Sequence, residues 1–363
     1  MVQTAVEPKA QRKPILKVLH GQDVDYIPFW FMRQAGRYLP EYRDIRQKAD
    51  GFLDMVYNPY TASEITIQPL RRFGMDAAII FSDILVIPQA LGQKLEFVEG
   101  EGPKLQPIRN ALDLLGIGKI LAKDRLEPVY EAISLTGQKL RQEGFLDTTL
   151  IGFAGAPWTL ACYMIEGQGS KDFAHVKNFM REHPDTFSEL VEIVTEAVIT
   201  HLSQQIDAGA EAIQLFDSWA GYLDGEEFRE WVVKPAAIIS ARLREQCPNI
   251  PTIGFPKGVG PNYHSYAKET SFYAIGIDYN LPVEWAAEVL QDQWILQGNL
   301  HPKVLKEGDE LESETRRILN HLGKKPFVFN LGHGIDKDTP LEHVAQLVEL
   351  IRAHKIEPEE EQD

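Results

Sequence analysis

Eight short apolar runs rich in β-forming residues recur along the chain, most of them far enough apart for a helix to fit between: Tyr26 to Phe31, Ala77 to Phe81, Leu150 to Phe153, Ala212 to Phe216, Thr252 to Phe255, Ala274 to Ile277, Trp294 to Leu296 and Phe327 to Phe329. A strand covered on both faces reads as uninterrupted apolar sequence, whereas a strand with one wet face alternates. Amphipathic stretches separate several of these runs. The clearest is Phe187, Leu190, Val191, Val194, Ala197, Val198 and Leu202, at helical spacing, with Gly209 placed to end it. Strand and helix alternating eight times predicts an α/β protein, a (β/α)8 TIM barrel in a single domain. A length of 363 residues allows one domain or two, and the repeat favours one. A doubly wound sheet is the alternative, but no GxGxxG turn follows the first run. The barrel is expected over 14–355, with a flexible N-terminal tail at 1–13 and an acidic flexible tail at 356–363.

Each run is followed by polar or glycine-rich residues: MRQAGR, SD, AGAPW, DSW, PKG, DY, QGN and NLGHG. In a barrel these strand ends share one face, which is where active sites are built. Turn formation alone accounts for most of the glycines. It does not account for Arg33, Asp83 or His333. Two further stretches read as insertions: Lys94 to Gly118, with a GEGP turn at Gly100 to Pro103, and Glu166 to Asp172, whose composition suits a lid.

The formal net charge of -16 argues against a nucleic-acid partner or an anionic membrane surface. Against that background Arg33, Arg37, Arg43 and Arg46 form a local anion trap after the first run. A helical turn there would put Arg33 and Arg37 on one face, ready to grip carboxylates through two hydrogen bonds each. A solvated patch paired with Glu41 and Asp44 is the better account of Arg43. Asp83 emerges from a buried run, either as a site carboxylate or as a cap or partner of Arg71 or Arg72. His333 lies between two glycines, and lone histidines are more often structural than catalytic. Tyr163, at an expected helix start, and Ser218, in a strand-end turn, are weak signals individually. No HExxH, CxxC or GxSxG occurs, and Cys162 and Cys247 can supply neither a thiolate zinc set nor a disulfide framework. No metal or cofactor is expected. The cysteine usage and the absence of an apolar signal or membrane-length stretch suit a cytoplasmic setting.

Taken in order, these motifs resemble those of the uroporphyrinogen decarboxylases. The matching segments are PFWFMRQAGRYLPEYR at Pro28 to Arg43, FSDILVIPQALG at Phe81 to Gly92, GFAGAPWTLACYMIEG at Gly152 to Gly167, LFDSWAG at Leu215 to Gly221, and QGNL at Gln297 to Leu300, with NLGHG at Asn330 to Gly334. The resemblance implies a cofactor-free carboxy-lyase of haem biosynthesis, a (β/α)8 barrel and a homodimer with facing clefts. It also implies a substrate-binding set of Arg33, Gln34, Ala35, Gly36, Arg37, Arg46, Asp83, Tyr163, Ser218 and His333, among which Asp83, Arg33, Tyr163 and His333 would be catalytic. One departure is His301, where similar enzymes usually carry Asp.

The implied chemistry suits these residue types. A pyrrole acetate loses CO2 only if the remaining electrons have a sink, which protonation of the adjacent ring carbon provides. A fixed carboxylate such as Asp83 would stabilise the cation that develops. The proton donor is left open among Arg33, Tyr163 and His333. The competing readings are a corrinoid- or folate-linked methyltransferase, which needs a metal-activated thiolate, and a tetrapyrrole-binding module without turnover.

Overall fold

The computed structural model describes residues 13–98 and 102–356. The tails expected at 1–13 and 356–363 lie outside the described residues apart from Lys13 and Ile356, as do Gly100 and Glu101 of the GEGP turn. Seven parallel strands form one sheet: β1 (Ala77–Ile79), β4 (Thr149–Gly155), β5 (Ala212–Asp217), β6 (Thr252–Pro256), β7 (Ala274–Gly276), β8 (Ile295–Leu300) and β9 (Phe327–Leu331). They lie side by side in chain order, and each connection carries at least one helix. The remaining strands, β2 (Leu95–Val98) and β3 (Gly102–Leu105), pair antiparallel as a hairpin inside the predicted 94–118 insertion.

The expected periodicity is visible in the packing. Ala77 and Ile79 join one buried cluster while Ala78 and Ile80 join another, because successive side chains on a strand point to opposite faces. Ile151, Ala212, Ile253, Phe255, Ala274 and Val328 fill the concave face with Trp30, and the opposite face packs against helices such as Pro184–Asp207. That helix ends where expected, with Gly209 at φ 116 just beyond it. A polar string crosses the concave layer. Trp30 Nε1 donates to Gln297 Oε1, and Gln297 Nε2 donates to Gln214 Oε1, both at 2.9 Å. The helix Pro14–Leu19 caps the N-terminal end of this layer with Ile15, Leu16, Val18 and Leu19. It is anchored by Lys13 Nζ, which reaches Thr148 O at 2.7 Å and Glu211 Oε1 at 2.8 Å.

The first run departs from expectation. Tyr26 to Phe31 forms no strand, only an isolated parallel bridge between Phe29 and Phe329. Trp30 N–H keeps one ladder bond, to Phe329 O at 3.3 Å, but side chains take the amides on either side: Phe29 N–H goes to Asp76 Oδ2, Phe31 N–H to Gln34 Oε1 and Met32 N–H to Asn330 Oδ1, while Pro28 has no N–H to give. The segment still bridges the two ends of the sheet. Phe329 N–H donates to Pro28 O and Asp76 N–H to Phe29 O, both at 2.9 Å. The penultimate run is shifted too, because Trp294 N–H closes a helical turn onto Leu290 O and the strand starts at Ile295. No helix among the described residues is long and apolar enough to cross a membrane.

Asp76, buried at 6 % exposure, also accepts from Tyr26 Oη at 3.1 Å and Arg352 Nη2 at 2.8 Å. Replacing it with Ala strands a buried amide and the Arg352 guanidinium together. Asp76→Ala is therefore expected to cost about 3 kcal/mol or more, read as a lower urea midpoint in equilibrium unfolding.

Candidate active site at the C-terminal strand ends

Parallel strands deliver all their C-terminal ends to one edge, so residues distant in sequence meet there. Asp83 lies four residues beyond β1 and is half-buried, with Leu85 N–H donating to its Oδ1 at 2.9 Å. Burial pushes its carboxyl up to about 6, against the opposing pull of the Leu85 amide and the Arg33 guanidinium. The salt-bridge alternative for Asp83 fails, since Arg71 pairs with Glu64 and Glu143, and Arg72 with Glu41.

Arg33 and Tyr163 lie within electrostatic reach of this carboxylate, and His333 within reach of Arg33. Arg33 adopts a left-handed backbone at φ 60, so the predicted helical turn from Arg33 to Arg37 does not form. Its stem lies on Gly334, where a Cβ would stand 2.3 Å from Arg33 Cδ, so this glycine makes room for the arginine. Tyr163 occupies the second half of the helix Pro157–Glu166 rather than its start, with its ring 4.2 Å from that of Trp219. Burial, then the charge of Asp83, push its phenol up to about 12. His333 accepts from Gly334 N–H through Nδ1 at 2.7 Å. Burial, then the cations of Arg33 and Lys257, push its imidazole down to about 3. It is therefore neutral, with its proton on Nε2 as a fixed donor.

The other candidates are placed differently. Gln34 is fully buried, and its amide joins Phe31 N–H to Ala77 O, which makes it a brace for the loop. Ala35 and Gly36 are half-buried and present backbone. Arg37 and Arg46 are exposed on the rim, where both act on the Tyr42 hydroxyl. Arg43 does not pair with Glu41 or Asp44; its guanidinium caps the carbonyls of Arg37 and Tyr38. Ser218 is half-buried directly after Asp217, which is held by Thr159 Oγ1 at 2.6 Å. His301 caps its helix by accepting from Lys303 N–H, with its ring 4.0 Å from Tyr279. The Glu166 to Asp172 loop is tied down at its start, where Gly167 O accepts from Leu105 N–H at 2.7 Å.

Sequence reasoning missed Lys257. It follows β6 within the PKG segment, and its charge acts on His333 alongside that of Arg33. The only signal was its position at a strand end, which a solvated lysine would share. Among the described residues no group of three or more His, Cys, Asp or Glu side chains could hold a metal ion. Cys162 is fully buried with its thiol pushed up, an environment that disfavours the thiolate a methyltransferase metal needs. A surface hollow of about 340 Å³ lined by Gln291, Trp294, Ile295 and Pro326 opens at the opposite, N-terminal ends of β8 and β9.

The fold and this edge define an α/β enzyme with its site at the C-terminal ends of parallel strands. A methyltransferase from Methanosarcina mazei shares the fold, with a TM-score of 0.76 over 94% of this chain and 98% of its own at 22% identity. The family model described as uroporphyrinogen decarboxylase (URO-D) matches residues 10–354. Curated proteins named uroporphyrinogen decarboxylase are similar over nearly their whole length. One from Rhodospirillum rubrum is 48% identical over 95% of this chain and 99% of its own, and one from Chelativorans sp. is 49% identical over 96% and 100%. The chain belongs to the uroporphyrinogen decarboxylase family.

The His333 environment makes a direct prediction. Its ring resonances should stay still in a nitrogen-edited NMR titration from about pH 8 to about pH 5, as should those of His201, which burial also pushes down to about 3. A midpoint near the ordinary 6.5 would remove the fixed neutral donor from the site.

Proposed function

We propose that this edge removes the four acetate carboxyls of uroporphyrinogen III as CO2, giving coproporphyrinogen III without a cofactor. The observation that carries the reading is the half-buried Asp83 carboxylate, held at the end of β1 and acted on by Arg33. In the reaction, a proton added to the ring carbon next to the one bearing the acetate makes the pyrrole an iminium-like electron sink. Loss of CO2 returns those electrons and leaves a neutral methylidene, a second proton on the methylidene carbon completes the methyl group, and the first proton then leaves the ring carbon to restore the aromatic pyrrole. Asp83 would lie against the pyrrole N–H groups and stabilise the ring cation in both steps. With a value of about 6 it is ionised at neutral pH, and bound N–H donors would lower it further.

The neighbours suit complementary tasks. Arg33, with Arg37 and Arg46 on the rim, would hold substrate carboxylates, which explains cations on a chain of net charge -16. Arg33 is a poor acid because guanidinium does not deprotonate in proteins, and it would orient carboxylate or water. Tyr163, protonated at any working pH, and His333, with its fixed Nε2–H, would offer neutral donors to the departing carboxyl. Ser218 would line the wall beside them. The same reading takes the sheet as an eight-stranded single-domain barrel, supported by the bonds of Pro28 and Phe29 to both sheet ends. It extends to a homodimer, on the family resemblance, and to a cytoplasmic setting, supported by two free cysteines.

The test is anaerobic incubation with uroporphyrinogen III followed by product chromatography, where unchanged substrate would sink the enzyme reading. Asp83→Asn should bind substrate within a few-fold of the parent yet lose turnover by about a hundred-fold or more. Because its folded value lies above the ordinary 3.8, ionising Asp83 costs stability as pH rises through about 6. The Asn variant should therefore unfold at no lower temperature at neutral pH, which separates lost chemistry from lost fold. The kcat/KM of the parent should fall on an acid limb near pH 6 that this variant lacks.

A further inference from the structure

We propose that Lys257 is a further substrate-binding residue, a cation that receives one peripheral carboxylate of the porphyrinogen from the β6 side of the cleft. The inference rests on the decarboxylase reading above.

Its backbone is fixed by the two neighbouring loops, those after β5 and β7. Lys257 N–H donates to Asp217 O at 2.9 Å, and Gly221 N–H donates to Lys257 O at 3.0 Å. The next residue, Gly258, donates its N–H to Asp278 Oδ2 at 2.7 Å. The DSWAG and PKG loops touch so closely that a Cβ on Gly221 would stand 2.3 Å from Gly258 O. These bonds fix the point at which the Lys257 side chain leaves the strand end.

The side chain itself is half-buried, with its ammonium 5.7 Å from the centre of the Tyr279 ring. No carboxylate among the described residues lies within ion-pair distance of it. Several other lysines in this acidic chain do pair, Lys119 with Glu189, Lys139 with Glu64, Lys234 with Glu230 and Lys325 with Asp292, while lysines without an ion pair such as Lys48, Lys123 and Lys268 are exposed. The groups facing Lys257 come from every neighbouring loop. Asp278, its nearest acidic influence, already accepts from Gly258 N–H, Tyr263 Oη and Asn280 N–H. Asp217 is taken by Thr159, and Tyr279 offers its ring face. Arg33 and His333 approach from the other side of the site, the first a like charge and the second neutral. Burial, then Arg33, outweigh Asp278 and lower the lysine below its ordinary value. A half-buried, uncompensated cation beside Arg33 is what an eight-carboxylate substrate would complete: a carboxylate there restores the missing partner and relieves the repulsion from Arg33.

Steady-state kinetics with uroporphyrinogen III test this on the purified full chain. Lys257→Gln should raise KM by about ten- to a hundred-fold with kcat changed by less than about three-fold, and Lys257→Arg should restore most of the KM. In the parent, KM should also rise on an alkaline limb below the usual lysine value of about 10.4, and that limb should vanish in Lys257→Arg. An unchanged KM in Lys257→Gln overturns the assignment while leaving an active parent enzyme intact. So does a loss of both kcat and thermal stability that Arg fails to rescue, which would make Lys257 a loop brace. An inactive parent would instead overturn the decarboxylase reading.

Discussion

The Asp76 carboxylate is the junction on which the architecture depends. One oxygen takes the Phe29 amide and the other takes Arg352 and the Tyr26 hydroxyl, while the Asp76 amide donates to Phe29 O. Arg352, on the helix Leu341–Ala353, lies within 4.7 Å of the centre of the Tyr26 ring and 4.5 Å of that of Phe29. A single buried acid therefore joins the first run, the start of β1 and the last helix. Without it the two ends of the sheet would be linked only by the sparse bonds of residues 28–30. A buried carboxylate is tolerable here because charge and hydrogen bonds satisfy both oxygens.

That junction has a consequence at the other end of the same segment. Because side chains rather than a ladder hold Phe29 to Met32, the chain is free to turn sharply after Met32, and Arg33 enters its left-handed conformation. Gln34 is consumed in securing that turn. The Arg33 stem then rests on Gly334, brought there by β9, and the His333 next to that glycine is fixed through its own Nδ1. The first run and the last strand thus organise each other, and the cationic wall beside Asp83 follows from their contact.

The electrostatics of this edge run against the character of the whole chain. Many exposed cations are paired with local carboxylates and contribute little to stability. Arg33 and Lys257 are the exceptions that matter, because their charge is left to act on Asp83 and His333. Burial raises an acid and lowers a base within the same cluster, so a carboxylate near neutrality stands beside an imidazole that stays uncharged. Such opposed shifts cost folding stability, and they suit an edge where charge develops during a reaction.

Much of this was legible in the sequence. Seven of the eight apolar runs are strands of the sheet, the residues after them had to share an edge if the strands were parallel, and Arg33, Asp83 and His333 stood out by type and place, with Tyr163 added by its motif. The family followed from the same segments. Other features had no local signature. The Tyr26 to Phe31 run is apolar enough for a strand, but its amides are claimed by Asp76, Gln34 and Asn330, two of which lie far away in the chain. The helical spacing of Arg33 and Arg37 meant nothing once Arg33 turned left-handed, and Lys257 became part of the site only because β6 ends beside Asp217 and Asp278. The sequence by itself determined which residues must be buried and which chemical groups reach the strand ends, since both follow from local pattern. Only the tertiary structure decided which of those groups meet and how their charges are shifted, because proximity and desolvation depend on chain segments that no local pattern relates.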